Sequence, residues 1–324
     1  GCKFSQTTAN KFEIICYLAV FIALNVIVLA RGIGNGIEKA ASILMPAFFV
    51  MLMGMVIFAV TTGDAGKALG FLFAPDFSRV SFATIQAAIG QAFFSLGVGS
   101  ALMVTYGAYL SRETDIPSAS GIVATADTVV ALIAGLAIFP IVFAFALDPA
   151  GGGGLFFVTM PTAFGSMTGG AIVGGLFFTL ALFAAFTSSI SLLEVGVSWL
   201  EDQPWISRQM GAVLLGLILF GCGVGYVYHD TWIGHIDFVT GTIMLPLGGI
   251  LVALFAGWVL SRQALDEELG SQAVVKLILP LLRYVIPIAL MIFLILGTLD
   301  NLQDAYRIDL PEFLFPLIGE NPQR

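Results

Sequence analysis

The chain has 324 residues, 58% of them hydrophobic and 10% charged, with a formal charge of −8. This is far more apolar than a soluble domain of that length requires, so the chain is read as an integral membrane protein, and its acidic balance without a basic patch argues against a nucleic-acid partner. The cysteines Cys2, Cys16 and Cys222 are odd in number and far apart, which implies neither a disulfide framework nor a metal site.

Apolar runs of about the length needed to cross a bilayer recur from end to end and predict eight spans. In chain order they are Phe12 to Ala30, Ala41 to Val60 with Pro46 near its start, Phe82 to Leu110, Gly121 to Leu147, Ile172 to Leu200, Met210 to Tyr228, Phe238 to Leu260, and Val274 to Leu299. The expectation is therefore an all-α, polytopic helical bundle: a membrane domain over 1–299 and an acidic C-terminal tail over 300–324. Arg31, Lys39, Arg112, Arg208, Arg262, Lys276 and Arg283 fall on one side of the spans, and only Lys67 and Arg79 on the other between spans. The first side is taken as cytoplasmic, in a multi-pass protein of the plasma or inner membrane. Both chain ends then lie outside and the first residue is Gly1, so the chain is expected to be a portion of a longer protein.

The third run is the unusual one. Its centre holds Gly97, Gly99 and Ser100, and glycine in a helix interior is less favourable than alanine by about 1 kcal/mol, so the helix is expected to break there. Backbone laid open at membrane depth is tolerated where it lines a cavity or binds something. Close packing of small residues against a neighbouring helix is the other reading of the same glycines.

Asp127 and Glu194 are the acids that fall well inside predicted spans. Ionisable groups there are costly and point to function, cation binding in the case of Asp127, with structural hydrogen bonding as the alternative. Ala184, Thr187, Ser191 and Glu194 share one stripe of a helix, beside Thr187-Ser188-Ser189. Hydroxyls in such a helix either glue helices together or supply part of the oxygen shell of a hard cation. Gly32-Ile33-Gly34-Asn35-Gly36 lacks dinucleotide-fingerprint spacing, His229 and His235 have no metal-site partners, and Ser188 has no base to activate it. A membrane enzyme is poorly supported.

Gly90-Gln91-Ala92-Phe93-Phe94-Ser95-Leu96, the run Arg31-Gly32-Ile33 with Gly36-Ile37-Glu38-Lys39 before Met45-Pro46, and Thr187-Ser188-Ser189 resemble the neurotransmitter:sodium symporters of the LeuT-type fold. The resemblance covers nearly the whole chain. It implies a partial inverted-repeat fold with a discontinuous helix at 82–110, the eight spans corresponding to family helices four to eleven, with helices one to three absent and needed to complete the sites. The implied activity is sodium-coupled amino-acid symport by alternating access; a transport-incompetent fragment or membrane interaction subunit is the alternative.

The same resemblance implies two sodium sites in the complete protein. Ser95 and Asp127 would serve the first; the Ala184 carbonyl and the Thr187 and Ser188 hydroxyls would serve the second. Substrate would meet Phe94, Ser95, Gly97, Val98, Gly99, Ser100, Thr187 and Leu192, with Phe94 as lid and Gln91 above it. Asp237 would be the acid of the external gate, and Asp202, with Tyr109 nearby, would hold the cytoplasmic one. Carbonyls near Ser95 and Gly97 would end the outer half-helix, and amides near Gly99 and Ser100 would begin the inner one. Asp127 stands where many members carry asparagine, and Ala131 where chloride-dependent members carry serine. A fixed carboxylate can replace the anion, which predicts chloride-independent coupling. Ser100 in place of a bulky side chain predicts room for a larger apolar or aromatic amino acid.

Overall fold

The computed structural model describes residues 10–111, 113–149, 154–167, 169–229, 232–270 and 272–306; within them the chain is helical, with no strand. Helix α1 (Lys11–Ala30) starts on Asn10, whose side chain accepts a hydrogen bond from the Glu13 amide. A π-helical turn, Ile33–Glu38, leads into α2 (Lys39–Thr62). Gly36 in that turn lies directly against the Val28 carbonyl, where any Cβ would collide with backbone, so the junction of α1 and α2 requires glycine.

Then follow α3 (Ala65–Phe73), α4 (Phe82–Leu96), α5 (Leu102–Ala108), α6 (Ile116–Ala144), α7 (Met160–Ser166), α8 (Gly170–Glu201) and α9 (Arg208–Tyr228). The remaining helices are α10 (Trp232–Asp237), α11 (Leu245–Leu254), α12 (Arg262–Leu269), α13 (Gln272–Pro280) and α14 (Ile286–Tyr306). The turns Phe238–Met244, Phe255–Val259 and Leu281–Val285 are π-helical; the first joins α10 to α11, the second extends α11, and the third joins α13 to α14.

Among the described residues seven rods are long and apolar enough to cross a membrane: Lys11–Ala30, Ile33–Thr62, Ile116–Ala144, Gly170–Glu201, Arg208–Tyr228, Gly234–Val259 and Gln272–Leu299. Large apolar side chains such as Val50, Ile172 and Leu217 point outward along them, as lipid-facing surface does. The third predicted span, Phe82 to Leu110, is not one rod. It divides into α4, of 15 residues, and α5, of 7, each short of the roughly 20 residues that a spanning helix needs. Ser81 and Thr84 cap α4 reciprocally, each side chain accepting the other's backbone N–H. At the far end α14 runs on to Tyr306, and the rest of the acidic tail, 307–324, lies outside the described residues, as does Cys2.

The chain forms two compact units, Gly1–Pro75 with Thr128–Asp230, and Asp76–Asp127 with Thr231–Arg324. The first has two apolar cores. One gathers Leu52, Met55 and Ala59 of α2, Ala137, Ile141 and Val142 of α6, Met160 and Phe164 of α7, and Phe177 of α8. The other joins Leu29 of α1, Ile190 and Val197 of α8, and Ala212 of α9. Pro140 leaves its carbonyl to the Asp64 amide, 2.9 Å away, which ties the end of α2 to α6. In the second unit α11 packs along α14 and against α4.

Candidate functional site

The break between α4 and α5 is built by two left-handed residues. Gly97 (φ 62°) ends α4, its amide donating to the Phe93 and Phe94 carbonyls, and Ala101 (φ 61°) precedes α5. Between them the Ser100 hydroxyl donates to the Gly97 carbonyl at 2.9 Å. The second half-helix therefore begins at Leu102, later than the Gly99–Ser100 start expected from sequence, because this local bond and the left-handed Ala101 extend the non-helical segment. Gly99 also meets α11 backbone to backbone: a Cβ there would strike the Leu245 carbonyl, and one on Gly248 would strike the Gly99 carbonyl. The break and the close packing, alternatives in the sequence, occur together.

In the last turn of α4, the Ser95 hydroxyl donates to Oδ2 of Asp127 in α6 at 2.9 Å. A hydroxyl that donates its proton keeps its lone pairs, so the Ser95 oxygen and the carboxylate together present acceptors without a competing donor. Asp127 is half-buried; Phe94, Ser95 and Gln91 are exposed, and Gly97, Val98, Gly99 and Ser100 are half-buried. Asp237, at the end of α10, is exposed. Tyr109, just past α5, is exposed and packs its ring against Tyr106. All of these belong to the second unit.

Ala184, Thr187, Ser188 and Leu192 stand on α8 in the first unit. The Thr187 hydroxyl donates to the Phe183 and Ala184 carbonyls at 3.0 and 3.1 Å, which again leaves its oxygen free to accept. Ser188 and Leu192 are exposed, and Asp202 closes the C-terminus of α8, its amide donating to the Ser198 and Leu200 carbonyls.

Glu194, read from sequence as a candidate on the Thr187 stripe, is wholly buried and ion-paired. Arg208 Nη2 donates to Glu194 at 2.6 Å, Nη1 to Glu201 at 3.0 Å, and Nε to the Leu29 carbonyl at 2.9 Å, so one guanidinium joins α8, α9 and the end of α1. Sequence reasoning also missed Asn25, nearly fully buried on α1, whose Oδ1 accepts from the Ser189 hydroxyl at 2.7 Å. A lone amide in the middle of an apolar run was the available signal.

Residues 3–318 match the profile of the sodium:neurotransmitter symporter family. The chain is 31% identical over 308 residues to the uncharacterized sodium-dependent transporter YhdH of Bacillus subtilis, covering 90% of this chain and 68% of YhdH. It is 31% identical over 301 residues to an uncharacterized sodium-dependent transporter of Haemophilus influenzae, covering 88% and 66% of the two chains. Its backbone superposes with a TM-score of 0.80 on the crystal structure of MhsT in complex with L-phenylalanine, at 37% identity, covering 90% of this chain and 70% of MhsT. With the broken α4–α5 stretch, a carboxylate bonded beside it and a profile match along nearly its whole length, the chain belongs to the sodium:neurotransmitter symporter family.

Proposed function

We propose that this chain works in sodium-coupled amino-acid symport by alternating access. Its family and relatives are transporters and not enzymes. The observation that carries the proposal is the helix interrupted at 97–101 with the Ser95–Asp127 pair at the end of α4 beside it. Broken backbone at membrane depth offers partial charges to a small zwitterion, and a carboxylate beside it offers oxygen ligands to a sodium ion. Ser95 and Asp127 contribute to one sodium site; the Ala184 carbonyl with Thr187 and Ser188 contributes to a second. The Ser95 and Thr187 hydroxyls donate within the protein, an orientation that leaves oxygen lone pairs for a cation.

Substrate meets Phe94, Ser95, Gly97, Val98, Gly99, Ser100, Thr187 and Leu192. Gln91, Phe94 and Asp237 form the outer gate, Tyr109 and Asp202 the inner one. The chain spans about two thirds of the length of the relatives above. The MhsT complex with L-phenylalanine supports a larger apolar or aromatic substrate.

The test is thermal melting of the purified 324-residue chain in sodium chloride against choline chloride at equal ionic strength. Sodium at about ten times its Kd adds about 1.4 kcal/mol, a measurable rise in midpoint that Asp127→Ala, or Thr187→Val with Ser188→Ala, reduces. Equal midpoints in the two salts would refute sodium binding by this chain and favour the non-transporting alternative.

A further inference from the structure

The rod ending α11 and the rod beginning α14 are clamped to each other by one arginine. Arg283, in the π-turn Leu281–Val285, donates from Nε to the Gly257 carbonyl at 2.6 Å. That carbonyl lies in the last turn of its helix, which leaves the helical path at Leu260, so it carries the partial negative charge of a helix C-terminus. The approach depends on glycine: a Cβ on Gly257 would sit 3.0 Å from Cγ of Arg283 and 3.2 Å from its backbone nitrogen. The Trp258 ring lies under the guanidinium, 5.4 Å from Cζ, and its indole N–H donates to the Arg283 carbonyl at 3.4 Å. Tyr284 packs edge-on against Trp258 at 5.8 Å.

This clamp fixes the guanidinium and leaves most of it unused. Nε is bonded; Nη1 and Nη2 hold four N–H donors, and among the described residues no carboxylate pairs with Arg283. Arg208, the other arginine joined to a helix-end carbonyl, is by contrast neutralised by Glu194 and Glu201. The position of the free nitrogens says what they meet. Trp258 is one residue from the end of the Gly234–Val259 span, and more than half of both Trp258 and Tyr284 is exposed. Aromatic rings at a span end sit at the level of lipid headgroups. Lys276, also on this rod, is exposed.

The geometry points to a binding site for the phosphate of an anionic phospholipid, formed by Arg283 Nη1 and Nη2 with Trp258 and Tyr284 against the adjoining glycerol and upper acyl chain, and with Lys276 adding charge. Arginine's planar fork suits two phosphate oxygens at once, and its Nε bond and Trp258 stacking hold it ready. The assignment is independent of how sodium and substrate bind.

The experiment uses the full chain with Trp199→Phe, Trp205→Phe and Trp232→Phe, so that Trp258 is the only tryptophan, in phosphatidylcholine vesicles containing an equal small fraction of 6,7-dibrominated phosphatidylglycerol or 6,7-dibrominated phosphatidylcholine. The expected result is quenching of Trp258 by the brominated phosphatidylglycerol at about fivefold lower mole fraction, the preference that one interfacial basic residue confers. Arg283→Gln should abolish the preference and Lys276→Gln should reduce it. Equal quenching by the two lipids in the unaltered Arg283 protein, a comparison that needs no Arg283 variant to fold, would overturn the site. So would absence of quenching by either, which means protein covers Trp258. Loss of the preference on adding millimolar inorganic phosphate would assign the nitrogens to a soluble anion and overturn the lipid.

Discussion

Replacing Arg208 with glutamine removes the ion-pairing arginine of a fully buried carboxylate. Glu194 is 0% exposed and its bond to Arg208 is 2.6 Å, so in the variant a buried carboxylate loses its arginine counter-charge. Breaking a buried pair from one side costs about 3–5 kcal/mol. Two further bonds go with it, but Glu201 is about half exposed and recovers in water, and the Leu29 carbonyl bond is worth about 1 kcal/mol, so Glu194 dominates. Glu194→Gln removes the charge instead of stranding it; Arg208 keeps Glu201 and the Leu29 carbonyl, and the cost is smaller. The pair Glu194→Gln with Arg208→Met should recover much of the loss, because nothing charged is then left inside. Melting of the four proteins in detergent at neutral pH should rank Arg208→Gln lowest by a clear margin, with the double variant above it. If Arg208→Gln melts within error of the unaltered chain, or Glu194→Gln falls further than Arg208→Gln, Glu194 does not depend on this ion pair as described.

Gly99→Ala or Gly248→Ala should destabilise by several kcal/mol, since each new Cβ meets a carbonyl that cannot move aside, while Gly107→Ala, with open space around it, should be neutral or slightly stabilising in the same melting assay. Ser189→Ala leaves one acceptor of the buried Asn25 amide without its donor and should cost about 1–2 kcal/mol in melting. Asp127→Asn removes the fixed negative charge, and in the complete transporter uptake should then become sensitive to replacement of chloride by gluconate, whereas the unaltered protein should be indifferent; chloride sensitivity of the unaltered protein would reject the role given to Asp127. Ala101→Gly should raise the melting temperature by relieving a left-handed alanine at about 1 kcal/mol, and a loss would mean that its methyl group is needed for packing.

The long spans were legible because an apolar run of spanning length has few other uses, and the break was legible because Gly97 and Gly99, one residue apart, weaken the centre of the run. Its second boundary was not, because an alanine at positive φ leaves no trace in residue type. The short helices α3 and α7 went unnoticed in connecting segments, although Asp64 caps α3 by accepting from the Lys67 amide. The π-turns were invisible, since they shift register without changing composition. Glu194 illustrates the limit for the site. Burial of a carboxylate in a membrane helix can be read from sequence, but its partner stands 14 residues away across a turn, and only the fold brings Arg208 to it. Ser95 and Asp127 were grouped through the family resemblance, and their hydrogen bond spans 32 residues of sequence that carry no local sign of it.

Ala101 sits in a conformation that an isolated alanine avoids, and its neighbours hold it there. The kink between α4 and α5 is in this sense a drawn spring and not a slack joint. About 1 kcal/mol is returned to the chain if residue 101 relaxes towards the right-handed helix, a quantity comparable with the free energies by which bound ligands commonly shift one conformation against another. A stretch so loaded needs only a small differential push to change shape, and it has a preferred direction in which to go.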